Sequence, residues 1–237
     1  MYTTAGRIGY SECDDNWRLT PQGLIDRFQD CSTLQSEDLS MGERFVREHH
    51  ATWILASWDI HITRLPAHAE RVETATWPYG YQGLFGFRNY TMKDENGELL
   101  ACADSHWFYF DFDRERPVKV PEEVVKGYEK GFGKKLDREF APRKIVLPEG
   151  YTEAPSFVVT KRDIDSNRHV NNSVYLGMAM DYLPPSKDLQ EIRIEYLKAA
   201  VLSDTIVPKV HREEGLSVVR LDSKDGKTFA VIEARER

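Results

Sequence analysis

Apolar and polar positions change period several times along the chain, and each change marks an element. Residues 7–14, Arg7-Ile8-Gly9-Tyr10-Ser11-Glu12-Cys13-Asp14, read as a short strand. Leu24, Phe28 and Cys31 then recur at the three-and-four spacing of a helix that turns one face to a core. Thr20 offers a side-chain oxygen to the first unpaired N–H groups and Pro21 suits the first helical position, so this helix is predicted to begin there. Trp58, Ile60 and Ile62 alternate as on a half-buried strand, and Asn96-Gly97 signals a hairpin leading into Leu100-Ala101-Cys102-Ala103-Asp104. The same order returns in the second half. Ser156-Phe157-Val158-Val159-Thr160 reads as a strand, and Val170-Asn171-Asn172 opens a helix carrying Val174, Met178 and Tyr182. Pro184-Pro185 stops that helix. Ile192, Ile194 and Tyr196 alternate next, and Asp225-Gly226 predicts a hairpin before Phe229-Ala230-Val231-Ile232-Glu233.

Four elements in one order, twice, indicate an internal duplication whose second copy has shorter loops. Each copy supplies one long helix and three or four alternating strands, so the sheet must curve around the helix for both to bury their apolar faces. In the second helix Val174, Tyr175, Leu176, Met178, Ala179 and Met180 cover most of the circumference, which predicts burial nearly all round. The expected fold class is α+β, a tandem double hot-dog in which each unit is a curved antiparallel sheet wrapped around a central helix. The pattern places an N-terminal unit at 1–112, a linker at 113–150 and a C-terminal unit at 151–237. The linker is charged and punctuated by proline, with a short helix expected around Glu122 to Tyr128.

Composition narrows the function. The 237 residues carry 32 Lys+Arg against 39 Asp+Glu, a net charge of −7, which disfavours non-specific nucleic-acid binding. Hydrophobic residues at 41% and charged residues at 30% suit a globular chain with a real core. No apolar run approaches the roughly 18 residues that span a bilayer. The first residues lack the basic and apolar regions of a secretory signal, so a cytoplasmic location is expected. Cys13, Cys31 and Cys102 are odd in number and widely spaced, which predicts reduced thiols and no disulfide frame. His49, His50, His61 and His68 lack a metal-binding spacing with a third ligand, and no metal is expected. Neither a Gly-rich phosphate loop nor Gly-x-Ser-x-Gly occurs, which argues against nucleotide enzymes and α/β-hydrolases.

Chemistry concentrates in residues 162–172. Asp165, Asn167 and His169 alternate, so an extended chain would point them the same way, just before a helix whose dipole favours developing negative charge. His169 can take a proton from water near neutral pH, Asn167 can donate to a carbonyl oxygen, and Asp165 can hold the imidazole or the water. The competing reading is that Asp165, Asn167 and Asn171 only cap the helix. Setting Leu24 against Val174 aligns Asn167 with Trp17 and His169 with Leu19, so the first copy is expected to lack the polar groups. One working site and one degenerate site would look like this.

The run Arg162-Asp163-Ile164-Asp165-x-Asn167-x-His169-Val170-Asn171-Asn172-x-x-Tyr175 resembles the signature of the acyl-acyl-carrier-protein thioesterases, and Ile194-Glu195-Tyr196 is similar to that family's strand after the helix. The resemblance implies a bacterial relative of the plant plastid enzymes, a thioester hydrolase that releases free fatty acid from acyl-acyl carrier protein. It implies Asp165, Asn167 and His169 as catalytic residues and Asn171 and Asn172 as substrate-binding ones. It also implies acyl carrier protein as partner, no cofactor, and a homodimer as an option. The plant enzymes carry a Glu-Cys pair after the Glu-Tyr strand; here those positions read Ala199-Ala200. Attack by water is therefore expected in place of a cysteine nucleophile; Glu195 offers a substitute base, and the reading preferred for it is a salt-bridged or solvated position. Leu24, Ile25 and Phe28 of the first helix are the expected acyl-chain slot, lying away from the polar machinery. The rival readings are an acyl-CoA thioesterase of the same fold, which would need a phosphate-adenosine pocket, and a non-hydrolytic acyl-carrier-binding module.

Overall fold

In the computed structural model, which describes residues 1–236, the alternating stretches form strands and the three-and-four stretches form helices. Thr20 starts the first helix as expected. Its Oγ1 accepts from the Gly23 N–H at 3.0 Å, and Pro21 takes the first position of α1 (Pro21–Asp38). Leu24, Ile25, Phe28 and Cys31 are fully buried, and the stripe runs on to the polar Gln35.

The chain divides into two compact units, one of Met1–Ala56 with Leu65–Ala141, the other of Ser57–Arg64 with the residues from Pro142 on. In the first, β1 (Tyr2–Arg7), β3 (Arg71–Gln82), β4 (Phe85–Asp94) and β5 (Leu99–Asp111) pair in that order, with β2 (Ala51–Ile62) next to β5. The two-residue β6 (Arg116–Pro117) adds to the end of β5. Helix α1 crosses one face of this sheet. The Phe28 ring sits 5.2 Å from that of Tyr90, and the Cys31 Sγ donates to the Thr74 carbonyl at 3.5 Å. A short α2 (Glu43–His49), for which the pattern gave no signal, follows α1.

In the second unit the order is β2, β9 (Leu189–Tyr196), β12 (Thr228–Glu236), β11 (Leu216–Ser223), β10 (Thr205–Glu213). Residues 57–61 of β2 supply the first strand, Trp58 opposite Ile194 and Ile60 opposite Ile192. The fragments β7 (Thr152–Glu153) and β8 (Phe157–Val158) pair along β10. Both units thus show a curved antiparallel sheet with a helix on one face, the hot-dog arrangement. Both hairpins form, with Gly97 at φ +84° and Gly226 at φ +79°, a region open to glycine at little cost.

Three local expectations give way. Residues 7–14 are not one strand: β1 ends at Arg7, and Tyr10–Glu12 form a 3₁₀ turn because the Glu12 carboxylate accepts from the Gly9 N–H at 2.6 Å. Helix α4 (Asn172–Ala179) buries Ser173, Tyr175, Leu176 and Ala179, whereas Val174 and Met178 are only half-buried, so its apolar residues do not reach the core all round. The segment read as a linker at 113–150 also packs. Its helix forms as α3 (Glu122–Tyr128), whose Val124 and Tyr128 join a cluster with Ala51, Tyr109 and Val120. Ile145, further on, is buried with Val218 and Val231 of the second unit. A few apolar residues among many charges were enough to anchor both ends.

Candidate functional site

Residues 164–170 form a closed turn, not an extended run. Ile164 and Val170 bridge antiparallel, the Asp165 N–H donates to the His169 carbonyl at 2.9 Å, and Arg168 adopts a left-handed φ of +65°. The Asp165 carboxylate serves this turn. Its Oδ1 accepts from the backbone N–H of Asn167 at 2.8 Å and of His169 at 3.4 Å, and does not hold the imidazole. Asn167 and His169 project from the turn as exposed side chains, with Asp165 half-buried. Asn171 caps α4 by accepting from the Ser173 N–H at 3.1 Å, and the Asn172 carbonyl accepts from the Tyr196 hydroxyl at 2.9 Å. Both asparagines therefore tie the helix start to its surroundings. Tyr175, its hydroxyl pushed up to about 12 by burial, accepts from the Ala200 N–H at 2.8 Å.

The first unit contains the same turn, and it corrects the alignment of the copies. Cys13 bridges Leu19, the Asp14 Oδ1 accepts from the Asn16 N–H at 2.9 Å and the Arg18 N–H at 3.0 Å, and Trp17 has φ +59°. Leu19 donates to the Pro66 carbonyl at 2.9 Å, as Val170 donates to that of Ala200 at 2.9 Å. The structural partners are thus Asp14 with Asp165, Asn16 with Asn167 and Arg18 with His169, one residue away from the match that the helical stripes suggested. At this offset the caps Thr20 and Asn171 coincide, and so do the buried faces, Leu24, Ile25 and Phe28 with Tyr175, Leu176 and Ala179; the Val174–Met178 stripe that suggested the other match is only half-buried. The aspartate is turn chemistry in both copies, its carboxylate gathering backbone N–H groups, and each copy also has an asparagine two residues on. The imidazole of His169 against the guanidinium of Arg18 is what separates them.

Glu195 stands apart from this turn. Alternation along β9 puts Ile194 and Tyr196 toward α4 and Glu195 on the other face, where it pairs with Arg143 at 3.1 Å and accepts from the Ile145 N–H at 3.1 Å. That is the salt-bridged reading. Ala200, at the cysteine position of the plant pattern, is buried beside Val170. Cys31 and Cys102 are buried and Cys13 is half-buried, all three in the first unit.

The first unit holds a cavity of about 210 Å³, but Leu24, Ile25 and Phe28 do not line it. They pack the solid part of the core. The walls come from the last turns of α1 (Ser32, Ser36), from Met41 and Val46, and from the sheet residues Trp53, Tyr81, Arg88 and Trp107. Tyr128, from the segment read as linker, closes it. His61 also gains neighbours that sequence spacing did not reveal: ligand-type atoms of Asp59, His61 and Glu191 lie within 4.8 Å of one another. Arg193 stands opposite Asp59 in the register, and Arg235 is 3.8 Å from Glu191, so the group belongs to a network of alternating charge.

Comparison with known proteins bears on both units. Residues 1–128 match the family model described as the acyl-ACP thioesterase N-terminal domain, and residues 149–234 match its C-terminal domain. The chloroplastic oleoyl-acyl carrier protein thioesterase of Coriandrum sativum is 27% identical over 209 residues, 81% of this chain and 56% of the relative. The chain spans about half the length of the curated relatives it matches. Among solved structures, a Lactobacillus plantarum protein with a provisional oleoyl-thioesterase designation is 28% identical at a TM-score of 0.87, covering 100% of this chain and 95% of that one. An acyl-ACP thioesterase from Bacteroides thetaiotaomicron, 20% identical, shares the fold at a TM-score of 0.89 over 99% of this chain and 97% of its own.

Proposed function

Since the chain belongs to the acyl-ACP thioesterase family, we propose that it hydrolyses fatty-acyl thioesters of acyl carrier protein and releases the free acid. The observation that carries this reading is the exposed imidazole of His169, on a turn whose twin in the first unit has Arg18 instead. His169 takes a proton from water, and the oxygen forms a bond to the thioester carbonyl carbon. Negative charge moves to the carbonyl oxygen, where the Asn167 side-chain amide donates to it. Collapse breaks the carbon–sulfur bond. The thiolate, whose acid has a pKa near 8.5, leaves readily and takes the proton from the imidazolium. Asp165 is a positioning residue that shapes the turn, and Asn171 and Asn172 fix its junction with α4. The test is to mix the protein with acyl-carrier-protein and acyl-CoA thioesters and follow free thiol. Turnover on the carrier-protein substrate is expected, and binding without thiol release would reduce the protein to a carrier-binding module.

The acyl chain is assigned to the cavity of the first unit. One methylene contributes about 0.8 kcal/mol on burial, so small changes in wall volume should move chain-length preference. Met41→Ala is expected to shift released acids toward longer chains and Val46→Phe toward shorter ones, read by chromatography of the products. A uniform change in rate across chain lengths would place the slot elsewhere.

No cysteine takes part in this scheme. Replacing Cys13, Cys31 and Cys102 together by Ala is expected to keep turnover within a few-fold of the parent. Loss of activity in a folded triple variant would restore a covalent route.

A further inference from the structure

Arg88 is a charged residue at an inward position of β4, 92% buried, on the wall of a cavity that also draws on apolar Met41, Trp53, Tyr81 and Trp107 and on polar Ser32 and Ser36. Its hydrogen-bond partners are neutral. Nη1 donates to the Gln35 Oε1 and, at 3.1 Å, to the Thr76 Oγ1. The Tyr128 ring lies 5.7 Å from the guanidinium carbon, and the Tyr128 hydroxyl is engaged with the Ser36 Oγ at 2.8 Å. Among the described residues no carboxylate pairs with Arg88. The two acidic residues on the cavity wall are engaged elsewhere, Glu37 accepting from the Glu43 N–H at 2.7 Å and Glu43 pairing with Arg47 at 2.9 Å. A buried cation held only by neutral groups is costly unless an anion comes to it, and an aromatic face offsets only part of that cost.

The free edge of the guanidinium says which anion. Of its five N–H groups the two on Nη1 are used, leaving those of Nε and Nη2 without an acceptor among the described residues. Those N–H groups form the fork that receives the two oxygens of a carboxylate. The same cavity wall supplies Met41, Val46, Trp53, Tyr81 and Trp107 as apolar surface. We propose that the cavity of the first unit binds an aliphatic carboxylate, its two oxygens on the Nε–Nη2 edge of Arg88 and its hydrocarbon against Trp53, Tyr81 and Trp107. The inference rests on the acyl-slot assignment above and adds a charged end to it. The carboxylate has two sources: a free fatty acid, the product of the proposed reaction, or the far end of an acyl chain that carries a terminal carboxyl.

Calorimetric titration of the full chain with decanoate and with 1-decanol separates the two layers of the argument. Decanoate is expected to bind about 10- to 100-fold more tightly, the range for a charge-assisted pair, and Arg88→Met is expected to erase the difference. Equal binding of both ligands to the parent protein keeps the apolar slot and overturns the role of Arg88. Failure of both ligands to bind overturns the slot and the inference together. The parent comparison needs no variant, and Arg88→Lys, which keeps the charge without the fork, should bind decanoate at an intermediate strength. Two further measurements identify the source. A higher kcat/KM for thioesters ending in a carboxyl over those ending in a methyl, lost in Arg88→Met, points to the acyl chain. Competitive inhibition by decanoate without that preference points to the released acid.

Discussion

His169→Ala is expected to lower kcat on an acyl-carrier-protein thioester by about 10²- to 10⁴-fold, the range for a removed general base, with little change in stability. The side chain is exposed and has no hydrogen bond to its ring among the described residues, so its loss leaves no cavity and breaks no pair. Asn167→Ala should cost about 10²- to 10³-fold in kcat if its amide meets the oxyanion. A loss confined to KM would make Asn167 a binding group. The first unit provides a control for Asp165. Asp14→Ala and Asp165→Ala remove the same turn contacts, so they should destabilise their units to similar degrees, while only the second lowers turnover. A folded His169→Ala protein with near-parental kcat would end the assignment of the base.

Phe28→Ala is expected to destabilise the protein by about 3–5 kcal/mol, measured by denaturant unfolding. The ring is fully buried against Tyr90 in the solid core and away from the cavity wall, so its removal opens a void. The sequence pattern suggested that Phe28 shapes acyl selectivity; the packing points to stability instead. A changed product profile at unchanged stability would mean that the slot extends down to this residue.

The periodic elements were readable because their signals are local. Thr20-Pro21, the Leu24–Phe28–Cys31 stripe and the two Asx-Gly turns each specify their structure within a few residues. What failed depended on partners far along the chain. The alignment of the copies slipped by one because it relied on helix stripes, and α4 is buried on a face centred on Leu176 and Ala179, off the Val174–Met178 line. Tyr128 was read as linker because the charges around it dominate the composition, yet one aromatic was enough to close the cavity. Arg88 did leave a trace. It falls in phase with Tyr90 and Met92, both buried, so the alternation of β4 put a cation at a core position. The surroundings of Glu195 are equally non-local, because Arg143 and Ile145 lie some fifty residues upstream.

The twin turns also bear on how such a protein changes over generations. The Asp14 and Asp165 carboxylates hold the two turns together, so stability alone favours both aspartates whether or not a copy performs chemistry. An aspartate at this place is therefore no mark of a working site. The informative position is the fourth residue after the aspartate, occupied by Arg18 in one unit and His169 in the other. A histidine codon and an arginine codon can differ by a single base, so the step between the two forms of this turn is among the shortest the genetic code allows. Exchanging Arg18 for histidine would retrace that step in a turn already built to receive it.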